Sequence, residues 1–263
     1  MARAMISLEA AQSRLLALVR PLPAETASLA EASGRWAAED VVSKRTQPAR
    51  PLSAMDGYAM AGGSVGPWRV IGESAAGRPF GGRIGDGEAA RIFTGAAVPQ
   101  GADAVVIQEN VTRDEDTIRV APADAPITGR HIRQQGSDFR KGDLLIKKGE
   151  RLMPAQVALA AGGGHDKLSV RRQPRIALIA TGDELVAPGV DAGDDFLPES
   201  NTTMLAGLLH DLDCDINRIG IIPDKLTEIV AAIRSVDADL LITLGGASVG
   251  DHDLVRPALE ACG

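Results

Sequence analysis

The stretch DLLITLGGASVGDHD, Asp239 to Asp253, combines an apolar run, paired glycines and two carboxylates. Its apolar run, Leu240–Leu244, predicts a buried parallel strand. The run stops at Gly245-Gly246, and a strand that ends at paired glycines leaves backbone N–H groups that can point at an anion. Two carboxylates follow, Asp251 and Asp253, and carboxylates bind a divalent metal that bridges to an anion. The stretch therefore predicts an anion site with a metal ion at the end of a strand.

The same stretch also fits a plain strand-to-helix turn. In that interpretation Asp251 is the N-cap of a helix over Leu254–Ala261, and its carboxylate accepts a backbone hydrogen bond instead of binding a metal. The residues of this stretch alone leave both interpretations open.

Length and composition limit the class of protein. At 263 residues the chain is longer than a usual single domain, which predicts two or three domains. The net charge of −7 argues against binding to nucleic acid or an anionic membrane, and the seven aromatic residues offer few platforms for base stacking. No apolar stretch has the ~18 residues of a membrane span, and no signal-peptide pattern opens the chain. We therefore expect a cytoplasmic protein that binds neither nucleic acid nor membrane.

The spacing of cysteine and histidine residues indicates no metal centre built from them. Cys214 and Cys262 are far apart and form no CxxC pair, and the four histidines show no ligand spacing such as HExxH. We expect neither a disulfide framework nor a His/Cys metal site.

Hydrophobic patterning divides the chain into parts. Ser7 is the predicted N-cap of a first helix that continues to Val19. From Leu52 to about Gly129, short apolar runs separated by Gly, Pro and Asp predict a small β-barrel or sandwich. After Pro174, strands and helices alternate, which predicts a parallel sheet with its ligands beyond the carboxyl ends of the strands.

We therefore predict a multidomain α/β plus β fold. An N-terminal helical and extended domain, residues 1–47 and 130–172, carries an inserted small β-barrel-like domain, residues 48–129. A partial three-layer α/β domain with a parallel sheet follows at residues 173–263. Two polar loops, Thr181–Glu184 and Gly245–Asp253, are expected at the carboxyl edge of that sheet.

Five motifs together carry a resemblance to a known family. In chain order they are PLSAMDGYA (Pro51–Ala59), RIFTGAAVPQGADAVVIQE (Arg91–Glu109), IRQQGSDFRKGD (Ile132–Asp143), PRIALIATGDEL (Pro174–Leu185) and LGGASVGDHD (Leu244–Asp253). The set resembles the MoeA family of molybdopterin molybdenumtransferases, relatives of the gephyrin E domain, over nearly the whole chain.

The resemblance implies an enzyme of molybdenum cofactor biosynthesis. Such an enzyme takes adenylylated molybdopterin, inserts molybdate and releases AMP with the help of Mg²⁺. The resemblance also implies a homodimer whose active cleft forms between the α/β domain of one subunit and the β region of the other. An upstream molybdopterin adenylyltransferase is the expected donor of the substrate.

The resemblance assigns roles residue by residue. It implies catalytic roles for Asp56, Thr94, Glu184 and Asp253. Mg²⁺ is expected on Glu184 and Asp253, because a bound cation reverses the repulsion between these acids and an anionic substrate. The implied substrate-binding residues are Arg133, Asp138, Asp183, Asp224, Gly245, Gly246 and Ser248.

Several of these residues also fit ordinary structural roles. Asp56-Gly57 is a common hairpin-turn pair, and Thr94 can simply end a strand. Asp138 fits a turn acid, and Asp224 fits the cap of a helix that starts at Leu226. Asp183 can be either an alternative metal ligand or the cap of a turn.

The match to the family departs from its pattern in two places. Ser137 stands where the family commonly has Glu, and the chain stops at Gly263, before a further strand, a lysine-rich loop and a C-terminal β domain that members carry. We therefore expect a C-terminally truncated member without the lysines that would hold molybdate or phosphate. An alternative function follows from this, a non-catalytic molybdopterin-binding or dimerisation module.

Overall fold

The computed structural model describes residues 6–245 and 254–263. Within them the helices are α1 (Leu8–Leu18), α2 (Leu29–Ala32), α3 (Pro154–Gly162), α4 (Asn201–Leu209), α5 (Leu226–Ser235) and α6 (Val255–Cys262). The first eight strands are β1 (Ala24–Ser28), β2 (Val41–Val42), β3 (Leu52–Ser53), β4 (Gly57–Met60), β5 (Trp68–Ser74), β6 (Glu88–Ile92), β7 (Ala104–Ile107) and β8 (Val111–Asp114). The later strands are β9 (Thr117–Val120), β10 (Ile132–Arg133), β11 (Leu144–Ile146), β12 (Lys167–Arg171), β13 (Arg175–Thr181), β14 (Leu185–Val186), β15 (Leu197–Pro198), β16 (Asp215–Ile222) and β17 (Leu240–Leu244).

The chain forms two compact units. The first, which we call the α/β unit, comprises Met1–Glu39, Lys148–Pro154 and Lys167–Gly263. The second, the β unit, comprises Asp40–Lys147 and Ala155–Asp166. The coarse fold class, α/β plus β, is confirmed, and the detailed three-domain division stays a prediction.

The β unit is built on a mixed sheet with the strand order β7-β4-β6-β5-β9-β8. Strand β4, second in this order, pairs antiparallel with both β6 and β7, whereas β5 runs parallel to β6. All four residues of β4 are buried. Tyr58 and Met60 belong to one apolar cluster and Ala59 to a second, as the period-two alternation of a strand requires when both faces are covered.

Close strand contact explains the glycine of the MDGYA motif. A Cβ placed on Gly57 would lie 2.0 Å from the backbone oxygen of Val106 in β7. Only glycine allows the two strands to approach this closely.

The α/β unit contains a parallel three-stranded sheet in the order β16-β13-β17. The central strand β13 is buried from Ile176 to Thr181, and a near-continuous apolar run is typical of a parallel strand covered on both faces. Helix α5 turns Ile229 and Ala232 inward and packs on β16. This arrangement confirms the predicted alternation of parallel strands and helices.

Strand β17 departs from the prediction of full burial. Its bounds, Leu240–Leu244, agree with the prediction, but Leu240 is 51% exposed and the other four residues are half-buried. In the described residues β17 lies at an edge of its sheet and pairs only with β13, so one of its sides lacks a neighbouring strand.

Helix α1 begins as predicted. Ser7 is its N-cap, and the Ser7 hydroxyl oxygen accepts a hydrogen bond from the Ala10 N–H at 3.2 Å. The helix has no buried residue, and Leu15, Leu16 and Leu18 are 65–79% exposed. No helix in the described part of the chain has both the length and the apolar content needed to cross a bilayer.

A charge cluster joins the amino ends of β13 and β17. Asp239 accepts two hydrogen bonds from the Arg172 guanidinium, at 2.9 and 2.7 Å, and a third from the Arg175 N–H at 2.8 Å. The Arg172 hydrogen bonds first, and the Arg175 N–H second, hold the pKa of Asp239 well below its ordinary value of 3.8. The ionised carboxylate therefore fixes the point at which both strands enter the sheet.

We predict that the Asp239→Asn substitution lowers the urea midpoint of unfolding at neutral pH. Because the folded-state pKa is depressed, the contribution of the charge is complete above pH 3.8 and is lost as the pH falls below that value. Urea titrations between pH 7 and pH 3 should therefore show a constant difference between wild type and variant that shrinks below about pH 4. The control is Asp237→Asn, which removes an 84% exposed carboxylate from Arg175. Equal midpoints for wild type and the Asp239 variant at pH 7 would contradict this account.

Candidate functional site

A cavity of about 330 Å³ opens at the carboxyl edge of the parallel sheet. We call it the carboxyl-edge cavity. Parallel α/β sheets bind ligands at this edge because the loops after neighbouring strands meet there. The lining residues come from the ends of β13 and β17 and from the β14–β15 region, namely Ala180, Thr181, Glu184, Leu185, Leu197, Pro198, Glu199, Ser200, Asn201, Leu244 and Gly245.

Gly245 and Thr181 make a close backbone contact in this cavity. Gly245 has a φ of +101°, and a Cβ on it would lie 2.4 Å from the Thr181 carbonyl oxygen. The Thr181 hydroxyl is buried and has no hydrogen-bond partner among the described residues. A buried hydroxyl without a partner is costly, so a ligand oxygen in the cavity would satisfy it.

The acidic residues predicted for the loops lie beside this cavity. Asp183 and Asp224 are joined, since the Asp224 N–H donates to Asp183 Oδ1 at 3.0 Å. Glu184 is exposed and lines the cavity, and its carboxylate has no hydrogen bond to another described residue. Glu184 thus presents free carboxylate oxygens, whereas Asp183 already accepts a hydrogen bond from a neighbouring loop.

The alternative role of Asp224 as a helix cap is wrong. The N-cap position of α5 is Lys225, and no side chain caps the helix. Asp224 lies one residue earlier, where its N–H is directed to Asp183 instead.

Glu199 is a cavity residue that the motifs did not indicate. It is 6% exposed, and its carboxylate accepts hydrogen bonds from the Thr202 N–H at 2.8 Å and from the Thr202 hydroxyl. Burial raises the pKa of Glu199, but the Thr202 hydrogen bonds, the Asn201 N–H and the charge of Arg218 outweigh it and lower the pKa overall. Its only sequence signal is an acid two positions before the start of α4, where an acid stabilises a helix N-terminus.

In the β unit, the structure brings Asp56 and Thr94 together. The Thr94 N–H and the Thr94 hydroxyl both donate to Asp56 Oδ1 at 2.7 Å. These two bonds, the backbone one first, hold the pKa of Asp56 below its ordinary value. Asp56 is therefore an ionised acceptor at neutral pH, and Thr94 is exposed beside it.

Arg91 supports the Asp56–Thr94 pair from the adjacent strand. Its guanidinium donates to the Gly57 carbonyl at 3.1 Å and lies over the rings of Tyr58 and Phe93, at 5.2 and 4.8 Å from their centres. These contacts fix the strand ends on which Asp56 and Thr94 are carried.

Arg133 and Asp138 lie elsewhere in the β unit. Arg133 is exposed on β10 and pairs with Leu52 of β3, and the Asp138 N–H donates to the Gln47 carbonyl at 3.1 Å. Neither side chain has a hydrogen bond or ion pair with Asp56 or Thr94. Their predicted roles in binding a substrate stay predictions.

The remaining predicted site residues, Gly246, Ser248 and Asp253, lie outside the described residues, as does Asp251 of the alternative interpretation. The helix of that alternative is present as α6, with Leu254 at its N-cap position. Within residues 6–245 and 254–263, no three His, Cys, Asp or Glu side chains form a group that could hold a metal ion. The predicted metal pair of Glu184 and Asp253 therefore stays a prediction.

Comparison with known proteins assigns the family. Residues 6–164, more than half of the chain, match the family described as MoeA N-terminal region (domain I and II). The chain belongs to the MoeA family. Residues 177–263 of this MoeA-family chain match a second description, probable molybdopterin binding domain, and this region contains the carboxyl-edge cavity.

Individual relatives agree with the MoeA assignment. The chain is 36% identical to a molybdopterin molybdenumtransferase of Haemophilus influenzae over 98% of its own length and 31% identical to one of Staphylococcus aureus over 97%. It spans 65% and 63% of the lengths of these two curated relatives. A crystal structure of a MoeA molybdopterin biosynthesis protein from Pyrococcus horikoshii matches with a TM-score of 0.80 at 31% identity, covering 98% of this chain and 67% of the other.

We predict that the Thr94→Ala substitution raises the pKa of Asp56 in this MoeA-family protein. The variant loses the hydroxyl donor and keeps the backbone N–H, so the pKa should move only part of the way back to its ordinary value. NMR titration of the Asp56 carboxyl carbon measures the change. Thr94→Ser keeps the hydroxyl and should leave the pKa at the wild-type value. An Asp56 pKa that is the same in the alanine variant and in wild type would show that the hydroxyl is not its partner in solution.

Proposed function

We propose that this chain acts in molybdenum cofactor biosynthesis as a molybdopterin molybdenumtransferase. Its substrates would be adenylylated molybdopterin and molybdate, and AMP would be released. The observation that carries the proposal is the carboxyl-edge cavity, where neither the Thr181 hydroxyl nor the Glu184 carboxylate has a hydrogen-bond partner among residues 6–245 and 254–263. The family assignment and the names of the relatives support the same reaction.

The cavity suits an anionic pterin phosphate in two respects. Gly245 brings backbone close to the cavity without a side chain in the way, as a phosphate-binding turn requires. Thr181 offers a neutral hydroxyl donor, which binds an oxyanion without adding charge.

Mg²⁺ fits the oxygen donors available to this site. Glu184 has carboxylate oxygens that no other described residue occupies, and Asp253 is the proposed second ligand. When bound, the cation would neutralise charge on the phosphoanhydride. In this proposal Glu184 holds the cation and Thr181 orients the phosphate group.

We further propose that the protein is a cytoplasmic homodimer supplied by a molybdopterin adenylyltransferase. The exposed leucines of α1 support a partner surface, since contiguous exposed apolar side chains are typical of an interaction site. By the family resemblance, Asp56 and Thr94 of one subunit would serve the site of the other. An ionised Asp56 that fixes Thr94 is suited to orienting a substrate group.

The decisive experiment measures molybdate-dependent AMP release from adenylylated molybdopterin by the 263-residue chain with Mg²⁺. We expect release by wild type and a loss of about 100-fold or more in Glu184→Gln, because a site acid or charge stabiliser contributes on that scale. Glu228→Gln, which removes an exposed acid of α5 that pairs with Lys225, should keep the wild-type rate.

Each other outcome has a definite meaning. Substrate binding without AMP release would favour the non-catalytic molybdopterin-binding or dimerisation module. Equal rates for wild type and the Glu184 variant would refute the role of Glu184. Absence of substrate binding would refute the proposed function of this chain.

A further inference from the structure

A second cavity, also of about 330 Å³, lies within the β unit, and its charged lining residues are both arginines. We call it the arginine pocket. Arg45 and Arg50 carry the charge, and the uncharged lining residues are Gln47, Pro48, Ala49, Leu52, Ala75, Gly77, Pro79, Gly95 and Ala97. A purely positive lining is notable in a chain whose net charge is −7.

Backbone contacts hold the segment that carries the two arginines. On one side, the Gln47 carbonyl accepts from the Asp138 N–H at 3.1 Å, and the Gln135 side chain donates to the Ala49 carbonyl at 2.9 Å. On the other side, the Val98 N–H donates to the Pro51 carbonyl at 3.0 Å. The backbone between the two arginines is therefore fixed, which lowers the entropic cost of using them to bind a ligand.

Arg45 is further positioned by its immediate neighbours. The buried Ser43 hydroxyl donates to the Arg45 carbonyl at 2.6 Å. A Cβ on Gly164 would lie 3.6 Å from Arg45 Cδ, so the stem of the side chain rests against the backbone of Gly164. The charged head beyond this stem is exposed.

Neither arginine has a counter-charge in the part of the chain that the structure describes. No ion pair or side-chain hydrogen bond of Arg45 or Arg50 occurs there, and no Asp or Glu lines the pocket. Other arginines of the unit do have partners, such as Arg69 with Glu88 at 3.0 Å. The planar fork of a guanidinium matches the oxygens of phosphate and similar oxyanions.

The pocket is open and adjoins the Asp56–Thr94 pair. A Cβ on Gly77 or Gly95 would meet no atom within 4 Å, so the space above both residues is free. Gly95 directly follows Thr94 in the chain. An anion held by the two arginines would therefore lie near the residue that the family resemblance assigns to the active cleft.

We propose that the arginine pocket binds a tetrahedral oxyanion group of the substrates, with Arg45 and Arg50 as its two charged ligands. The assignment of that group to the substrates rests on the proposed function, while the binding of an oxyanion rests on the pocket alone. The group is either a phosphate of the adenylylated pterin or molybdate, both of which are tetrahedral and anionic.

Equilibrium dialysis with AMP, inorganic phosphate and molybdate tests this inference. We expect Arg45→Gln/Arg50→Gln to bind at least one of these probes about tenfold more weakly than wild type, the scale of a lost charge-assisted hydrogen bond. The control is Arg83→Gln/Arg119→Gln, which removes the same charge from exposed positions of the same unit. The probe that loses affinity identifies the group: AMP and phosphate point to the phosphate ester, and molybdate alone points to the metal oxyanion.

A second experiment measures, by mass spectrometry, how far phenylglyoxal modifies each arginine. A probe bound outside the arginine pocket would not change the modification of Arg45 and Arg50. The probes should protect Arg45 and Arg50 and leave Arg83 unprotected. Unchanged affinity in the double variant, or equal modification of Arg45 and Arg50 with and without probes, overturns the inference. Protection of both arginines in a protein that releases no AMP would refute the proposed function and support the arginine pocket as an oxyanion site. AMP release without protection of the arginines would support the proposed function and refute the pocket.

Discussion

Parallel pairing of β13 with a neighbour on each side is the constraint on which the α/β unit depends. It pairs with β16 along one edge and with β17 along the other, and all three strands run in one direction. Asp239 fixes this arrangement at the amino ends, where it joins Arg172 and the Arg175 backbone. The carboxyl ends then fall together, and Thr181, Glu184 and Gly245 meet around one cavity. The position of the cavity therefore follows from the common direction of the three strands, and the side chains around it decide what it can bind.

In the β unit, close packing of strand β4 positions the residues next to it. Strand β4 is buried on both faces, and Gly57 lets it approach β7 closely enough to be held there. Asp56 directly precedes this buried strand, and two donors from Thr94 keep its carboxylate ionised. The fixed segment with Arg45 and Arg50 adds positive charge near that pair. The pocket that contains these arginines is also lined by Gly95, the residue that follows Thr94.

Sequence patterns predicted the elements well where the signal was local. The apolar run Leu240–Leu244 ends at paired glycines, and it forms a strand with the predicted bounds. Ser7 caps α1 because an N-cap needs only a hydroxyl next to a helical run. The same logic failed at α5, where Lys225 takes the cap position and Asp224 turns its N–H to a loop 41 residues away. The place of Glu199 in the carboxyl-edge cavity and the pocket around Arg45 and Arg50 escaped prediction because segments distant in the chain form both cavities, and no local pattern records them.

The proposed function depends on binding of the pterin phosphate at the carboxyl edge of the parallel sheet. A crystal structure of the chain with adenylylated molybdopterin and Mg²⁺ tests it most directly. We expect ligand density in the cavity of the α/β unit, with a phosphate oxygen within hydrogen-bond distance of the Thr181 hydroxyl and against the Gly245 backbone. Ligand density outside that cavity, with the Thr181 hydroxyl still unpartnered, would contradict it.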